Sequence, residues 1–373
     1  MATGRRIGIL IVDDSAVMRS LLRSVVSTDP GLEVAGTAAD GESALSAIES
    51  LHPDLVLLDV EMPVMDGLVT LRKLRARGHK MPVIMCSSLT QRGAKVTIEA
   101  LAFGASDYVA KPAGQSGREA AMRTLSQDLI PKIHALAGPP QPVPAGAPRS
   151  LLMMPVAPLP KLQPISSVPV VLAIGVSTGG PAALDILLPA LPREFPLPVL
   201  IVQHMPELFT RLFAERLNGR CPLEVHEAVD GEPVRAGTVY IAKGNWHMEL
   251  LAGARLGSPP TLHLNQGEHE NHCRPAADVL FRSVAAVYGA GALAVVLTGM
   301  GSDGMLGSRA IRDHGGSVLA QDQATSTVWG MPGAVTHAGL ANKVLPLNAM
   351  APEILRLAGR TRSEARELRE SVV

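Results

Sequence analysis

An apolar run that ends in a glycine-rich turn, residues 170–181, constrains the fold of this chain more than any other segment. Its first part, VVLAIGV, has no polar alternation, which predicts a strand buried on both faces. The Gly-Gly-Pro that follows predicts a helix with proline in its first turn. Ser177 therefore lies on a strand-to-helix turn, between Gly175 and Gly179 in the pattern G-x-S-x-G. Such a turn suits acyl transfer, but a turn that caps a helix or binds phosphate fits the local pattern equally well.

Composition limits the classes of protein to be considered. A length of 373 residues with 47% hydrophobic residues predicts two globular domains. No apolar run reaches the roughly 18 residues of a membrane span, and the first residues lead straight into a strand, so we expect no signal peptide, no membrane insertion and a cytoplasmic location. The three cysteines are far apart and predict no disulfide framework. Lys+Arg 34 balances Asp+Glu 34, which leaves no global charge to attract nucleic acid.

Strand-like and helical segments alternate through the first part of the chain. Residues 7–12 form an apolar run, and the residues after it recur at helical spacing. Further apolar runs, with helical stretches between them, lie at residues 55–58, 82–86 and 107–110. This alternation predicts a parallel, doubly wound five-stranded sheet over about the first 130 residues.

Polar residues follow the carboxyl ends of these strands, where ligands bind in such sheets. They are Asp13, Asp14, Asp59, Ser87 and Lys111. Singly, each has an ordinary interpretation as a helix cap, a turn former or a solvated side chain. Together, three carboxylates require a hard cation, and oxygen ligands suit Mg²⁺. Lys111, Ser87 and the ion would then serve a phosphoryl group on Asp59.

This set of residues resembles the receiver domains of response regulators. The resemblance assigns Asp13 and Asp14 as the acidic pair, Asp59 as the phosphoacceptor, Ser87 and Tyr108 as the switch residues, and Lys111 as the lysine before proline. It implies Mg²⁺-dependent transfer of phosphate to Asp59 from a histidine kinase. We therefore expect a receiver domain over residues 1–132.

The chain changes character after the receiver segment. Prolines are dense and charges sparse over residues 133–168, which predicts an interdomain linker. The βα alternation then resumes, and we place a second domain at residues 169–360 with a charged tail at 361–373.

Three residues of the second domain combine into a catalytic hypothesis. Ser177, His204 and Asp303 each follow a predicted strand of one parallel sheet, so a nucleophile, a base and an orienting acid can converge there. His247 and His272 are rival bases, and Asp303 could simply cap the helix after it. Residues 268–273 are rich in metal-ligand types but lack the spacing of a zinc site. An ordinary G-x-S-x-G hydrolase is disfavoured because its acid precedes its histidine in sequence.

The second domain resembles the catalytic domain of the chemotaxis protein-glutamate methylesterases (CheB type). The matching segments are GVSTGG at 175–180, QHM at 203–205, HMEL at 247–250, RP at 274–275 and TGMGSDG at 298–304. The resemblance implies that Ser177 is the nucleophile, His204 the base and Asp303 its orienting acid. Thr178 and the backbone N–H of Met300 would hold the substrate or oxyanion.

The resemblance also implies an activity and partners. The expected enzyme is activated by phosphorylation, demethylates glutamate methyl esters and deamidates glutamines on chemoreceptors, and needs no cofactor at the esterase site. We expect a monomer that associates with receptor clusters and accepts phosphate from the chemotaxis histidine kinase. The alternatives are a receiver-controlled esterase for another substrate and a receiver-linked DNA-binding regulator, although residues 170–350 show no helix-turn-helix pattern.

Overall fold

The computed structural model describes residues 5–88, 90–112, 117–138, 165, 168–255 and 257–370, with only the backbone described for residues 360–370. The chain forms two compact units. The predicted linker lies largely outside the described residues. None of the helices in these ranges is both long and apolar enough to cross a membrane.

The first unit is a parallel five-stranded sheet in the order β2-β1-β3-β4-β5, which confirms the predicted doubly wound architecture. Its elements are β1 (Ile7–Val12), α1 (Ala16–Val26), β2 (Leu32–Ala38), α2 (Gly41–Leu51), β3 (Leu55–Asp59), α3 (Gly67–Ala76), β4 (Val83–Ser87), α4 (Gln91–Ala102), β5 (Asp107–Ala110) and α5 (Arg118–Ala137). Strands β1, β3 and β4 are buried along their whole length, as expected for central parallel strands.

Helix α5 shows where the first domain ends. It continues to Ala137, and Ile133 is fully buried against the core that α1 and α5 share. The residues just after the predicted boundary at 132 therefore belong structurally to the first domain, because an apolar helical face carries on past Pro131.

The second unit is built on a parallel seven-stranded sheet in the order β14-β13-β12-β6-β7-β9-β8, with a separate antiparallel pair β10-β11. Its elements are β6 (Val171–Val176), α6 (Gly180–Leu187), β7 (Val199–Gln203), α7 (Glu207–Asn218), β8 (Glu224–Glu227), β9 (Thr238–Ile241), β10 (His247–Leu251), β11 (Thr261–Asn265), α8 (Ala277–Tyr288), β12 (Ala292–Val296), α9 (Met305–Asp313), β13 (Ser317–Gln321), α10 (Met331–His337), β14 (Lys343–Leu345) and α11 (Leu347–Glu370).

Three neighbouring central strands of this sheet end level with one another. Gly175 of β6 pairs with Val296 of β12 on one side and with Val202 of β7 on the other. The chain changes direction of winding at β6, so the loops after these strands meet at a topological switch point, where α/β sheets bind ligands. Ser177, His204 and Asp303 lie in those three loops.

Candidate active site and phosphoacceptor site

Ser177 follows β6 on a tight turn that glycines make possible. Gly179 has a left-handed backbone (φ +78°) at the N-cap of α6, a conformation that glycine adopts without steric cost. A Cβ on Gly180 would collide with Gln203 Oε1. The turn is closed by the Gly180 amide, which donates to the Ser177 carbonyl (2.8 Å), and the Ser177 amide donates to the Thr298 carbonyl (3.0 Å). The backbone of Ser177 is thereby fixed against the loop after β12.

Gln203 joins the nucleophile loop to the base loop. Its side chain is buried, and its Nε2 donates to the carbonyls of Ser177 (3.1 Å) and His204 (3.4 Å). The His204 amide donates in turn to the Val176 carbonyl (3.2 Å). Gln203 was not among the predicted site residues, although an uncharged polar side chain at the end of an otherwise apolar buried strand was a signal for it.

The predicted base and acid are paired. His204 Nε2 lies 2.8 Å from Asp303 Oδ2, and their side chains are 13% and 2% exposed. Because Asp303 uses Nε2, the ring nitrogen left for a serine proton is Nδ1. Cys273 Sγ lies 3.6 Å from that Nδ1, a neighbour that the sequence did not indicate.

Asp303 also caps a helix, but this helix is α8 and not α9, which follows Asp303 in sequence. Ala276, the N-cap residue of α8, offers no side-chain cap, and Asp303 takes that role. Its carboxylate accepts five hydrogen bonds, from His204 Nε2 (2.8 Å) and Ala277 N (2.6 Å) on Oδ2, and from Asp278 N (3.0 Å), Gly304 N (2.9 Å) and Asn271 Nδ2 (3.0 Å) on Oδ1. The capping and orienting roles therefore coexist in one carboxylate.

These contacts set the charges of the pair. Burial alone would raise the pKa of Asp303, but the hydrogen bond and charge of His204 and the amides of α8 outweigh burial and lower it. Burial opposes a positive charge on His204, whereas its hydrogen bonds to Asp303 and Cys273 favour that charge, and the pKa of His204 is raised. The arrangement strengthens His204 as a proton acceptor once it is neutral.

The serine hydroxyl itself is not engaged. Within the described part of the chain, Ser177 Oγ has no hydrogen-bond partner, so the structure pairs base with acid but does not show the serine–histidine hydrogen bond. Hydrogen bonds at apo active sites are often long and tighten only with substrate bound. The three-residue catalytic assignment therefore stays a prediction.

The rival histidines differ from His204 in their surroundings. His247 is buried, and both ring nitrogens are satisfied, Nε2 with the Glu268 carbonyl (2.8 Å) and Nδ1 with the Ala276 amide (3.3 Å). This is the pattern of a structural histidine. His272 is exposed at a left-handed position (φ 63°). Neither is paired with a carboxylate in the residues that the structure describes.

The two residues predicted to hold the substrate or oxyanion flank the serine. Thr178 is 6% exposed, and its carbonyl accepts from Thr298 Oγ1 (2.8 Å). Met300 is 37% exposed, beside Gly299. A Cβ on Gly299 would lie 2.8 Å from Ser177 Cβ, so the loop that carries Met300 runs directly against the nucleophile.

In the first unit, the predicted acidic residues come together at one sheet edge. The carboxylates of Asp13, Asp14 and Asp59 place ligand oxygens within 4.8 Å of one another, with Asp13 and Asp59 buried and Asp14 exposed. Lys111 Nζ lies 2.8 Å from Asp13 Oδ2 and 2.7 Å from Asp59 Oδ1. Across the described residues this is the only such group of potential metal ligands, and residues 268–273 form none. A hard oxygen donor set of this kind fits Mg²⁺.

The surroundings of Asp59, the phosphoacceptor candidate, disfavour its ionised form. Burial raises the pKa of Asp59 to about 6 and the Asp13 charge adds to this, although Lys111 opposes both. A bound cation would counter this effect by favouring the ionised carboxylate.

The two predicted switch residues lie near this edge on β4 and β5. Ser87 is buried, and its hydroxyl donates to the Ser88 carbonyl (3.1 Å). Tyr108 is 7% exposed, and burial raises the pKa of its hydroxyl. Lys132 Nζ lies 5.3 Å from the Tyr108 ring centroid. The aromatic ring is thus packed inwards in this structure.

Known proteins match the two units separately and together. Residues 9–122 match the response regulator receiver domain family, and residues 172–354 match the CheB methylesterase family. A protein-glutamate methylesterase/protein-glutamine glutaminase of a Nocardioides species is 50% identical over 95% of this chain and 96% of its own length. The relative of the same name from Trichodesmium erythraeum is 46% identical over 94% of this chain and 99% of its own length. These matches confirm the predicted fold class and the resemblance to both families. The chain therefore belongs to the protein-glutamate methylesterase/protein-glutamine glutaminase family.

Proposed function

We propose that this chain hydrolyses the methyl esters of glutamate side chains on chemoreceptors and deamidates receptor glutamines, under the control of phosphorylation at Asp59. The single observation that carries the catalytic assignment is the His204–Asp303 pair, which lies in the loops on either side of the Ser177 turn. Family membership supplies the substrate class.

The residues divide the reaction into two acyl-transfer steps. Ser177 Oγ attacks the ester carbonyl while His204 Nδ1 takes the hydroxyl proton, and the N–H groups near Thr178 and Met300 stabilise the oxyanion. His204 returns the proton to the departing methoxide, which leaves as methanol. Water, deprotonated by His204, then releases the glutamate carboxylate. With an amide the same steps release ammonia.

Asp303 keeps His204 productive throughout. Its hydrogen bond to Nε2 fixes the tautomer in which Nδ1 is free to accept a proton, and its charge stabilises the imidazolium that forms. Gln203 supports the geometry by holding the carbonyls of Ser177 and His204 on one side-chain amide.

The receiver site would regulate this chemistry. Receiver domains are phosphorylated in a Mg²⁺-dependent reaction, and Asp13, Asp14 and Asp59 would hold the ion here, which would neutralise charge on the phosphoryl group. An Asp59 carboxylate oxygen attacks the phosphorus of the kinase phosphohistidine, the P–N bond breaks and the kinase histidine leaves, and Lys111 pairs with the new charge on Asp59. Ser87 and Tyr108 then carry the change to the rest of the domain.

The remaining assignments follow from family and composition. We place the protein in the cytoplasm at receptor clusters, as a monomer, with a chemotaxis histidine kinase as phosphodonor and no nucleic-acid partner. No cofactor is assigned to the esterase site.

Methanol release from methylated receptor membranes, with and without a phosphodonor, tests the proposal. Ser177→Ala and His204→Ala should each lower the rate by several orders of magnitude, on the order of 10⁴ or more. His272→Gly, which removes an exposed histidine from the loop before α8 without straining its left-handed backbone (φ 63°), is the matched control and should keep wild-type turnover. Near-normal turnover by Ser177→Ala would refute the nucleophile assignment. Hydrolysis of small esters without methanol release from receptors would instead favour an esterase for another substrate.

A further inference from the structure

Two buried carboxylates share one side-chain amide next to the base. Asn271 Nδ2 donates to Asp303 Oδ1 (3.0 Å) and to Asp278 Oδ2 (3.0 Å). Asp278 is fully buried and Asp303 is 2% exposed. We propose that Asn271 is a positioning residue for the esterase reaction, because its shared amide keeps the Asp303 carboxylate ionised and aimed at His204 despite the second carboxylate beside it. This inference rests on the proposed assignment of Ser177, His204 and Asp303.

The geometry separates what each carboxylate does. Asp303 accepts five hydrogen bonds, whereas Asp278 accepts from the Gly307 amide (2.6 Å) and from Asn271. Burial and the Asp303 charge accordingly raise the pKa of Asp278 to about 6, while the pKa of Asp303 is lowered. When Asp278 and Asp303 together take up one proton, Asp278 binds it because fewer donors stabilise its charge, and Asp303 stays ionised.

The charged groups around Asp278 and Asp303 also favour a proton on Asp278 and a charge on Asp303. Glu270 faces Asp278 and adds to its negative surroundings, and Arg282 neutralises part of that charge through a bidentate pair with Glu270 (2.6 and 2.5 Å). On the far side, His204 Nε2 donates to Asp303 Oδ2 (2.8 Å). Among the described residues, Asn271 supplies the one neutral donor that reaches both carboxylates.

The backbone explains why an asparagine occupies this position. Residue 271 has a left-handed conformation (φ 53°) on an exposed loop, which asparagine and glycine tolerate better than other residues. Asn271→Gly therefore deletes the amide without backbone strain, whereas Asn271→Ala would confound the two effects. His272→Gly is the matched control, since His272 is the next residue of the same loop and also left-handed (φ 63°).

Loss of the amide should make the site sensitive to acid. Without the Asn271 amide, the charges of Asp278 and Asp303 repel each other more strongly. Asp303 then takes up a proton at a higher pH, or keeps His204 protonated up to a higher pH. In the full-length chain, Asn271→Gly should move the acidic limb of the pH–rate profile up by about one pH unit, which is about a tenfold loss on that limb. The added change Asp278→Asn removes one of the two charges and should restore most of the rate.

The readout is the rate of Ser177 labelling by a fluorophosphonate between pH 5 and 9, which needs the base but neither receptor nor phosphate. Methanol release under saturating phosphodonor is measured in parallel. The inference predicts a shifted limb for Asn271→Gly, rescue in the double variant, and a wild-type profile for His272→Gly. An unshifted limb in Asn271→Gly, with or without a loss of rate, would overturn it, as would failure of Asp278→Asn to rescue. If Ser177→Ala were labelled as fast as wild type, the catalytic assignment itself would fail, which is a separate result.

Discussion

Asp303→Asn should damage both catalysis and folding, since Asp303 is both the partner of His204 and the cap of α8. An amide keeps an acceptor oxygen on one side only. If its NH₂ group replaces Oδ2, it faces the donors of His204 and Ala277; if it replaces Oδ1, it faces three donors. At least two charge-assisted hydrogen bonds are therefore lost, and buried donors are left unpaired.

The expected size follows from these counts. Each unpaired buried donor costs about 1–3 kcal/mol, and relief of the repulsion from Asp278 offsets part of the sum. We expect the free energy of unfolding of the second unit to fall by about 2–5 kcal/mol, and turnover to fall by as much as ~10⁴ because His204 loses the group that sets its tautomer. Ser177→Ala should lose turnover with a stability change within about 0.5 kcal/mol, because its hydroxyl has no partner among the described residues.

Tryptophan fluorescence gives the assay, since both tryptophans of the chain, Trp246 and Trp329, lie in the second unit. With a urea m-value on the order of 2 kcal/mol/M, the midpoint of Asp303→Asn should fall by about 1–2.5 M at neutral pH. The lowered pKa of Asp303 means that its contribution is present above pH 4 and is lost as the pH falls further. The gap between wild type and variant should therefore narrow below pH 4. A midpoint equal to that of Ser177→Ala at neutral pH would refute the capping role.

Three further perturbations test other parts of the molecule. Gly299→Ala brings a methyl group into collision with Met331 Sδ and within 2.8 Å of Ser177 Cβ, and the resulting shift of the serine should lower kcat about 10²-fold. Gly359→Ala, in open space on α11, is the control, and an unchanged kcat would mean that movement of Met331 accommodates the methyl group without displacing the serine. Asp59→Asn should abolish phosphorylation, and phosphate on the variant would contradict the assignment. It should also stabilise the first unit at neutral pH by up to about 3 kcal/mol, which corresponds to about two pKa units, because burial raises the pKa of Asp59 to about 6. Hydrogen exchange over residues 5–138 measures this gain in stability, which should vanish towards pH 4, where Asp59 of the wild type becomes protonated. Lys111→Ala should still accept phosphate but stimulate methanol release poorly, and full stimulation would show that Lys111 does not read the phosphoryl charge.

The elements that the sequence predicted well are those whose burial is uniform. Strands β1, β3 and β6 are buried along their whole length and contain only apolar residues and glycine, apart from Asp59 at the end of β3, so their composition alone marks them. Strand β2 (LEVAGTA) is a half-exposed edge strand, and β11 alternates half-buried and buried residues opposite β10, which is mostly buried. These strands owe their place to pairing with neighbours, which composition does not reveal.

For the candidate site, the sequence indicated which residues follow the strands but not the contacts that the loops make. Ser177, His204 and Asp303 follow strands, and parallel strands bring their carboxyl ends to one edge. The contacts of Asn271 and Cys273 depend on a loop before α8 that folds back over the sheet, and no local pattern specifies its path. One signal was present, because α8 begins without a capping side chain at Ala276 and so requires an acceptor from elsewhere in the chain.

The two functional aspartates show how the same side chain is prepared for opposite tasks. Asp303 has acceptors committed to five donors, which lowers its pKa and fixes its position, as an orienting residue requires. Asp59 is equally buried but has Lys111 and one long contact from the Glu61 amide (3.4 Å), and its pKa is raised to about 6. A carboxylate that acts as a nucleophile needs lone pairs that accept no hydrogen bond. With few donors around it, a buried carboxylate is less stable in its ionised form. A cation held by Asp13, Asp14 and Asp59 would reduce this instability only while it is bound, so we expect phosphorylation of Asp59 to require Mg²⁺.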